Sequence, residues 1–154
     1  MIGAIAKSMK ETSAAGLLLV SLAACSAGAQ AASYTMYRDA GCGCCLKWAD
    51  HAAEGLDAEV IAESADMQIV KDLHGVPDQL RGCHTMIVEG YVIEGHVPAE
   101  AIRKLLRDKP TDVIGLAVPG MPVGSPGMEH QDLTEPYQVI AFGPKGRRVF
   151  ASYN

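Results

Sequence analysis

The stretch DAGCGCCLKW, residues 39–48, places three of the chain's five cysteines within four positions, with glycines beside and between them. A strand-like run, YTMY at residues 34–37, precedes it, and a helical pattern follows. The three sulfur atoms are therefore expected on a strand-to-helix turn. Backbone N–H groups and the helix dipole at such a turn favour thiolate over thiol. Thiolates in this position either exchange disulfides or hold a soft metal ion.

The composition narrows the classes of function. The chain has 154 residues, of which 49% are hydrophobic and 20% are charged, and this suits one globular domain. The formal net charge is −5. Nucleic-acid binding requires a basic face, so the charge argues against a nucleic-acid partner.

Residues 1–32 are predicted to be an export leader with a short linker, and residues 33–154 are predicted to be the folded domain. Lys7 and Lys10 give the leader a positive start, and an apolar run follows at residues 14–24. That run has the length of a signal-peptide core and is too short to span a bilayer as a mature helix.

Two processing routes fit this leader. LAAC at residues 22–25 resembles a bacterial lipobox, which would make Cys25 a lipidated first residue, and AQA at residues 29–31 resembles an ordinary cleavage site. Both routes predict an exported, periplasmic protein, anchored to the membrane only if Cys25 is lipidated. Either way the domain keeps an even number of cysteines in a compartment that permits disulfides.

Strands and helices alternate along the domain. Strands are predicted at residues 34–38, 57–63, 86–88 and 91–94, and helices at residues 45–56, 67–73 and 98–106. In the second helix, Met67, Val70 and Leu73 share one face, and Ser64 or Asp66 is a candidate cap. This order of elements is that of a thioredoxin-like fold, so we predict an α/β domain with a mixed sheet flanked by helices.

Residues 82–85, GCHT, resemble the loop in which thioredoxins carry a cis-proline. In that fold the loop faces the N-terminus of the active-site helix. The resemblance therefore implies that Cys83 lies opposite the other three cysteines, with His84 in the place of the proline.

The last third departs from that plan. Residues 115–128, GLAVPGMPVGSPGM, show no periodicity, and the tripeptide at residues 119–121 recurs at residues 126–128. Loops this long inside a compact domain are usually functional or disordered. Residues 137–142 and 147–153 are predicted to form a hairpin that extends or flanks the sheet.

Two chemistries compete for the cysteines. Cys42 and Cys45 form a C-x-x-C pair at the place where redox proteins of this fold carry theirs. A dithiol oxidoreductase needs only an attacking and a resolving sulfur. Cys44, Cys83 and His84 are surplus to that mechanism, and they are what a multi-thiolate metal site requires.

The donor set favours copper over zinc. Four thiolates can hold zinc, but structural zinc sites usually present two separated chelating pairs, whereas three sulfur atoms here crowd one turn. Soft thiolate and thioether ligands select Cu(I), and a supply of seven methionines fits the same preference.

Four further side chains are candidate ligands. His84 adjoins Cys83, although a turn histidine bonded to backbone is the alternative. His96 is a candidate peripheral ligand, or else a cap of the last helix. Met121 and Met128 lie in the Pro- and Gly-rich loop, where there is little core for a methionine to fill.

The other histidines, His51, His74 and His130, are expected at the surface. Trp48, one turn into the cysteine helix, either covers the site or packs beneath it.

Four motifs together carry a family resemblance. CGCC at residues 42–45, GCHT at 82–85, GYVIEGHVP at 90–98 and GLAVPGMPVGSPGME at 115–129 resemble the CopG-type family of exported bacterial copper-resistance proteins. The resemblance covers residues 34–153. It implies a thioredoxin-like fold, Cu(I) bound by Cys42, Cys44, Cys45 and Cys83, and redox handling of copper in the periplasm alongside other resistance proteins.

Three functions stay open on the sequence. The first is a Cu(I)-binding protein of copper resistance, which would act as a copper-handling oxidoreductase if it cycles between Cu(I) and Cu(II). The second is a thiol–disulfide oxidoreductase that uses Cys42 and Cys45. The third is a structural zinc module.

Overall fold

The computed structural model describes residues 31–154, and the predicted leader with Cys25 lies outside that range. The strands are β1 (Ala32–Arg38), β2 (Ala58–Ser64), β3 (His84–Val88), β4 (Tyr91–Glu94), β5 (Gly115–Ala117), β6 (Tyr137–Gly143) and β7 (Gly146–Tyr153). The α-helices are α1 (Gly43–Leu56), α2 (Met67–Leu73) and α3 (Ala99–Asp108), and a short 3-10 helix covers Asp78–Leu80.

All seven strands form one mixed sheet in the order β2-β1-β3-β4-β5-β6-β7. The pairs β1–β2 and β4–β5 are parallel, and the other neighbours are antiparallel. The first four strands and the three helices follow the predicted thioredoxin-like plan. The closing hairpin of β6 and β7 extends the sheet, as the sequence predicted.

The second helix differs in detail from its prediction. Asp66 caps α2, because its carboxylate accepts the N–H groups of Gln68 and Ile69 at 3.0 and 3.3 Å. Leu73, however, is 78% exposed, whereas Lys71 is buried. The shared face of Met67, Val70 and Leu73 is therefore not a uniformly buried face, since α2 has only seven residues and a buried carboxylate draws Lys71 inward.

Strand β5 was missed in the sequence, which predicted one loop from residue 115 to 128. It pairs with β4 and β6 and so joins the hairpin to the rest of the sheet. Gly115 allows this approach, because a Cβ there would lie 2.2 Å from the Val92 carbonyl oxygen. Three residues, all buried, are too few to show the alternation by which strands are recognised.

Successive residues of the central strands point to opposite faces of the sheet, so the sheet has two apolar clusters. Ile93 and Ala141 belong to the larger cluster, with Trp48 of α1 and Leu105 of α3. Their neighbours Val92 and Phe142 belong to the smaller one, with Val76 and Leu80. Within residues 31–154, no helix is both long and apolar enough to cross a bilayer.

Candidate metal centre

The cysteine turn lies at the N-terminus of α1. Cys42 is the N-cap residue with extended backbone, and its N–H donates to the Asp39 carbonyl at 3.1 Å. Cys45, one helical turn later, is fully buried. Cys42 and Cys45 form a disulfide, with their Cα atoms 5.4 Å apart. The C-x-x-C pair is therefore oxidised in this structure.

Cys44 and Cys83 are free thiols. The sulfur atoms of Cys42, Cys44, Cys45 and Cys83 all lie within 4.8 Å of one another. Cys42 Sγ is 3.6 Å from Cys44 Sγ, and Cys45 Sγ is 3.8 Å from the Cys83 carbonyl oxygen. The loop before β3 thus faces the N-terminus of α1, and four sulfur atoms from two distant segments form one cluster.

Two histidines extend this cluster on the side of Cys83. Cys83 Sγ lies 3.2 Å from His96 Nε2 and 3.7 Å from His84 Nδ1. The three side chains form a second group whose ligand atoms lie within 4.8 Å of one another. His96 lies in the site and does not cap α3.

The tautomer of His96 follows from its partner on the far side. His96 Nδ1 lies 2.8 Å from the Pro126 carbonyl oxygen, which can only accept a hydrogen bond. Nδ1 must therefore carry the proton. In the neutral ring this leaves the lone pair of Nε2 directed at Cys83, which is the arrangement that a histidine ligand needs.

Burial sets the protonation of these groups. It lowers the pKa of His84 to about 3 and also lowers the pKa of His96. Burial raises the pKa of Cys83 to about 12, and the charge of Cys44 acts in the same direction. At neutral pH the metal-free site therefore holds neutral imidazoles and a protonated Cys83, and a bound cation would displace the thiol proton.

His84 is fully buried against Trp48, with the two ring centroids 4.3 Å apart. The Trp48 indole N–H donates to the Val97 carbonyl at 2.9 Å, which fixes the ring beneath the site. His84 Nε2 has no hydrogen-bond partner within the described part of the chain. A buried nitrogen without a hydrogen-bond partner costs free energy. The nitrogen that lies near the Cys83 sulfur is the other one, Nδ1.

The Pro- and Gly-rich loop reaches the site through its second tripeptide. Gly127 has φ +81°, and a Cβ there would lie 2.8 Å from both the Cys44 carbonyl oxygen and the Trp48 backbone nitrogen. Met128 follows directly and lines a cleft together with Cys44 and Lys47. The loop therefore packs against the first turns of α1.

Met121 lies elsewhere. It is 55% exposed and lines a cleft of about 750 Å³ with residues of the hairpin, among them Tyr137 and Tyr153. No cysteine of the described chain lines that cleft. Of the two methionines predicted as ligands, Met128 lines a cleft that Cys44 also lines, and Met121 lines a different one.

The three histidines expected at the surface differ in their exposure. His130 is exposed and His74 is half-buried. His51 is also half-buried, and its Nε2 accepts the Ala99 N–H at 3.2 Å. His51 thus caps α3, which was one of the two roles considered for His96.

A buried ion pair behind the Cys83 loop was not predicted from the sequence. Lys71 Nζ lies 2.6 Å from Glu94 Oε1, and both side chains are almost fully inaccessible to solvent. One residue is on a short helix and the other ends a hairpin strand, so neither spacing nor pattern connects them.

Comparisons with known proteins fix the family. Residues 80–128 match the family described as "Protein of unknown function, DUF411". The chain is 43% identical to a solved structure named "Copper resistance protein copG- Form 1", with 80% of this chain and 98% of that chain covered at a TM-score of 0.74. For "Copper resistance protein copG- Form 2" the identity is 42%, the coverage 81% and 100%, and the TM-score 0.74.

A search of the curated proteins found no match. At this identity and coverage the two CopG structures show the family, and the chain belongs to the CopG family of copper-resistance proteins.

Proposed function

We propose that this chain is a periplasmic copper-resistance protein that binds Cu(I) as its cargo through Cys42, Cys44, Cys45 and Cys83. One observation carries the proposal: four sulfur atoms from two segments of a CopG-family chain lie within 4.8 Å of one another. Thiolates are soft ligands and select Cu(I), which accepts two or three sulfur atoms and tolerates bridging ones.

The residues around the sulfur atoms fit such a cargo. His96 Nε2 presents its lone pair 3.2 Å from Cys83, and the buried His84 Nε2 lacks a partner among the described residues. Both are candidate nitrogen ligands. Met128 lines a cleft with Cys44 and is the thioether candidate, whereas the exposed Met121 is a candidate only for a more peripheral contact.

Binding by all four sulfur atoms requires the Cys42–Cys45 disulfide to be reduced. Its reduction takes two electrons and two protons, which an external dithiol supplies by becoming a disulfide itself. In reverse, closing the disulfide releases two electrons, enough to convert two Cu(II) to Cu(I). This balance supports the part of the proposal in which the protein cycles copper between its two oxidation states.

The same disulfide supports a second candidate, a thiol–disulfide oxidoreductase that uses Cys42 and Cys45. This second candidate predicts that the protein reduces insulin without metal and that Cys42→Ser abolishes the activity. A structural zinc module is the third.

The proposed compartment depends on the leader. We propose that residues 1–32 direct export, that residues 33–154 form the periplasmic domain, and that Cys25 carries a lipid anchor if the lipobox is used. Other envelope copper-resistance proteins are the proposed partners.

The deciding experiment is anaerobic Cu(I) competition against a strong chelator, using protein reduced with a phosphine, together with elemental analysis. Cys44→Ser and Cys83→Ser should each weaken Cu(I) binding at least about tenfold, by the scale on which single groups at metal sites act. The exposed Ser152→Ala serves as the matched control.

Unchanged affinity in both cysteine variants would rule out the four-sulfur site. Zinc in the purified protein without any copper uptake would favour the structural module instead.

A further inference from the structure

A buried polar cluster lies behind the Cys83 loop. Glu94, at the end of β4, is fully inaccessible to solvent. Its Oε1 accepts a hydrogen bond from Lys71 Nζ at 2.6 Å, and its Oε2 accepts one from the Thr85 hydroxyl at 2.6 Å. Lys71 also donates to the Thr85 oxygen at 3.0 Å. Each side chain thus contacts the other two, and the carboxylate is held in one orientation.

The fixed carboxylate has one further partner, and that partner is backbone. Glu94 Oε1 accepts the N–H of Gly82 at 2.5 Å. Gly82 directly precedes Cys83 in the chain. The hydrogen bond therefore acts on the segment that carries the fourth sulfur atom of the cluster.

Glycine makes this contact possible. A Cβ at Gly82 would lie 2.9 Å from Gly95 Cα, and a Cβ at Gly95, where φ is +69°, would lie 2.7 Å from the Val118 carbonyl oxygen. Gly95 in turn donates its N–H to the His84 carbonyl at 2.9 Å. The backbones of three segments are in direct contact here, so a small displacement of one segment would move the other two.

Fold stability alone is a weak explanation for this cluster. Removing two charges from water is costly, and a buried ion pair is often no more stabilising than apolar residues of similar size. What the pair does supply is a rigid acceptor for a loop N–H group that would otherwise lose a hydrogen bond.

We propose that Glu94 is a positioning residue of the metal centre, which holds Gly82 so that Cys83 stays opposite the sulfur atoms of α1. Lys71 and Thr85 fix the carboxylate that does this. Since Glu94 and His96 are separated only by Gly95, the end of β4 carries both the acceptor of the Gly82 N–H and the imidazole that faces the Cys83 sulfur. The consequence for copper rests on the proposed function, whereas the consequence for the Cys83 thiol does not.

The test compares two uncharged versions of the cluster. In Lys71→Met/Glu94→Gln, the amide oxygen can still accept from Gly82 and the amide nitrogen can donate to Thr85. In Lys71→Met/Glu94→Met, the side chain has similar length but no acceptor. Both variants lack the ion pair, so their difference isolates the hydrogen bond to Gly82.

The main readout is metal-free. Reduced protein is alkylated with iodoacetamide under native conditions, and the rate at each cysteine is measured by peptide mass spectrometry. We expect Cys83 to react at least about tenfold faster in the methionine variant than in the glutamine variant, on the scale of one lost buried hydrogen bond. Cys45, which is fully buried, reports general loosening and should react equally slowly in both.

Equal Cys83 rates in the two variants would overturn the proposal, and so would a rise in Cys45 that matches the rise in Cys83. Wild-type protein supplies a further measurement that does not depend on a variant folding. The Gly82 amide should exchange its hydrogen as slowly as the amides of β3, and rapid exchange would also overturn the proposal.

Cu(I) competition on the same proteins separates the two proposals. We expect the methionine variant to bind Cu(I) about tenfold more weakly than the glutamine variant. If no protein, wild type included, binds Cu(I), then the proposed function fails while the alkylation result still decides the role of Glu94. If copper binds equally well to both variants, Glu94 does not position Cys83 for metal.

Discussion

The tripeptide Pro-Gly-Met occurs twice in the loop between β5 and β6, at residues 119–121 and 126–128. Both glycines adopt the left-handed conformation, with φ +76° at Gly120 and +81° at Gly127. A Cβ at Gly120 would meet nothing within 4 Å, whereas a Cβ at Gly127 would collide with the backbone of α1. The two copies share a local conformation and differ in what they contact.

The difference shows which property each copy owes to its own sequence. The turn conformation is local, since a glycine at the middle position permits a positive φ in both copies. The contact with the candidate metal centre is not local. The second copy has it because Pro126 accepts from His96 and Gly127 fits against α1, and neither partner is near in sequence.

The largest difference is expected for substitution of the two glycines. Gly127→Ala should reduce the free energy of unfolding by about 3 kcal/mol, because the positive φ and the overlap with α1 both oppose a Cβ. Gly120→Ala should cost only the left-handed conformation, about 1 kcal/mol. Urea denaturation of the metal-free, disulfide-containing proteins measures both. Equal losses would show that the second copy does not pack on α1 as described.

The next difference concerns copper. Met128 lines a cleft with Cys44 and Met121 does not, so Met128→Leu should weaken Cu(I) binding by about tenfold, while Met121→Leu should leave it unchanged. Leucine keeps the apolar volume, and the pair of variants therefore tests the thioether alone. The measurement is chelator competition on reduced protein. A loss in Met121→Leu as large as that in Met128→Leu would mean that both copies reach the metal.

The smallest difference is expected in the response to pH. Behind the second copy, half-buried His51 accepts the N–H that begins α3, and burial lowers the pKa of His51. The unfolded chain then binds more protons below about pH 6.5, so stability should fall as the pH drops through and below that value. Because His51 is partly exposed, its share is only a fraction of the about 1.4 kcal/mol per pH unit that a fully shifted group gives.

His51→Gln should therefore show a shallower loss of stability between pH 7.5 and 5.5 than wild type, measured by urea denaturation at each pH. Burial also lowers the pKa values of His84 and His96, and these two histidines contribute to the pH dependence of stability in both wild type and variant. Gln138→Ala, in the cleft beside the first copy, is the control and should keep the wild-type profile. An identical slope in His51→Gln would show that His51 does not contribute to the pH dependence of stability.

Much of the fold was predictable because its elements carry strong periodic signals. The amphipathic pattern of α3 and the hairpin of β3 and β4 were placed to within a few residues. Strand β5, with three residues, was missed. Helix α2 was placed at its observed bounds, but its buried face was predicted wrongly, because seven residues are too few for a pattern to distinguish a buried lysine from an exposed leucine.

The sequence also predicted the cluster of four cysteines, but only by way of the fold. Cys42, Cys44 and Cys45 are neighbours in any conformation, whereas Cys83 comes from a separate segment. His96 and Met128 were candidates of equal standing with Met121, and nothing in the spacing could rank them. Glu94 and Lys71 were not candidates at all, because a buried ion pair has no sequence pattern.

The sequence by itself determined three cysteine sulfur atoms on a strand-to-helix turn, the order of the first four strands and the three helices, and glycines that permit left-handed turns in the loop. These follow from residue type and local conformation. Only the tertiary structure decided which copy of Pro-Gly-Met borders the cysteines, which histidine faces Cys83, and which carboxylate holds the Cys83 loop. Those choices depend on contacts between segments far apart in the chain, and such contacts leave no periodic trace in the sequence.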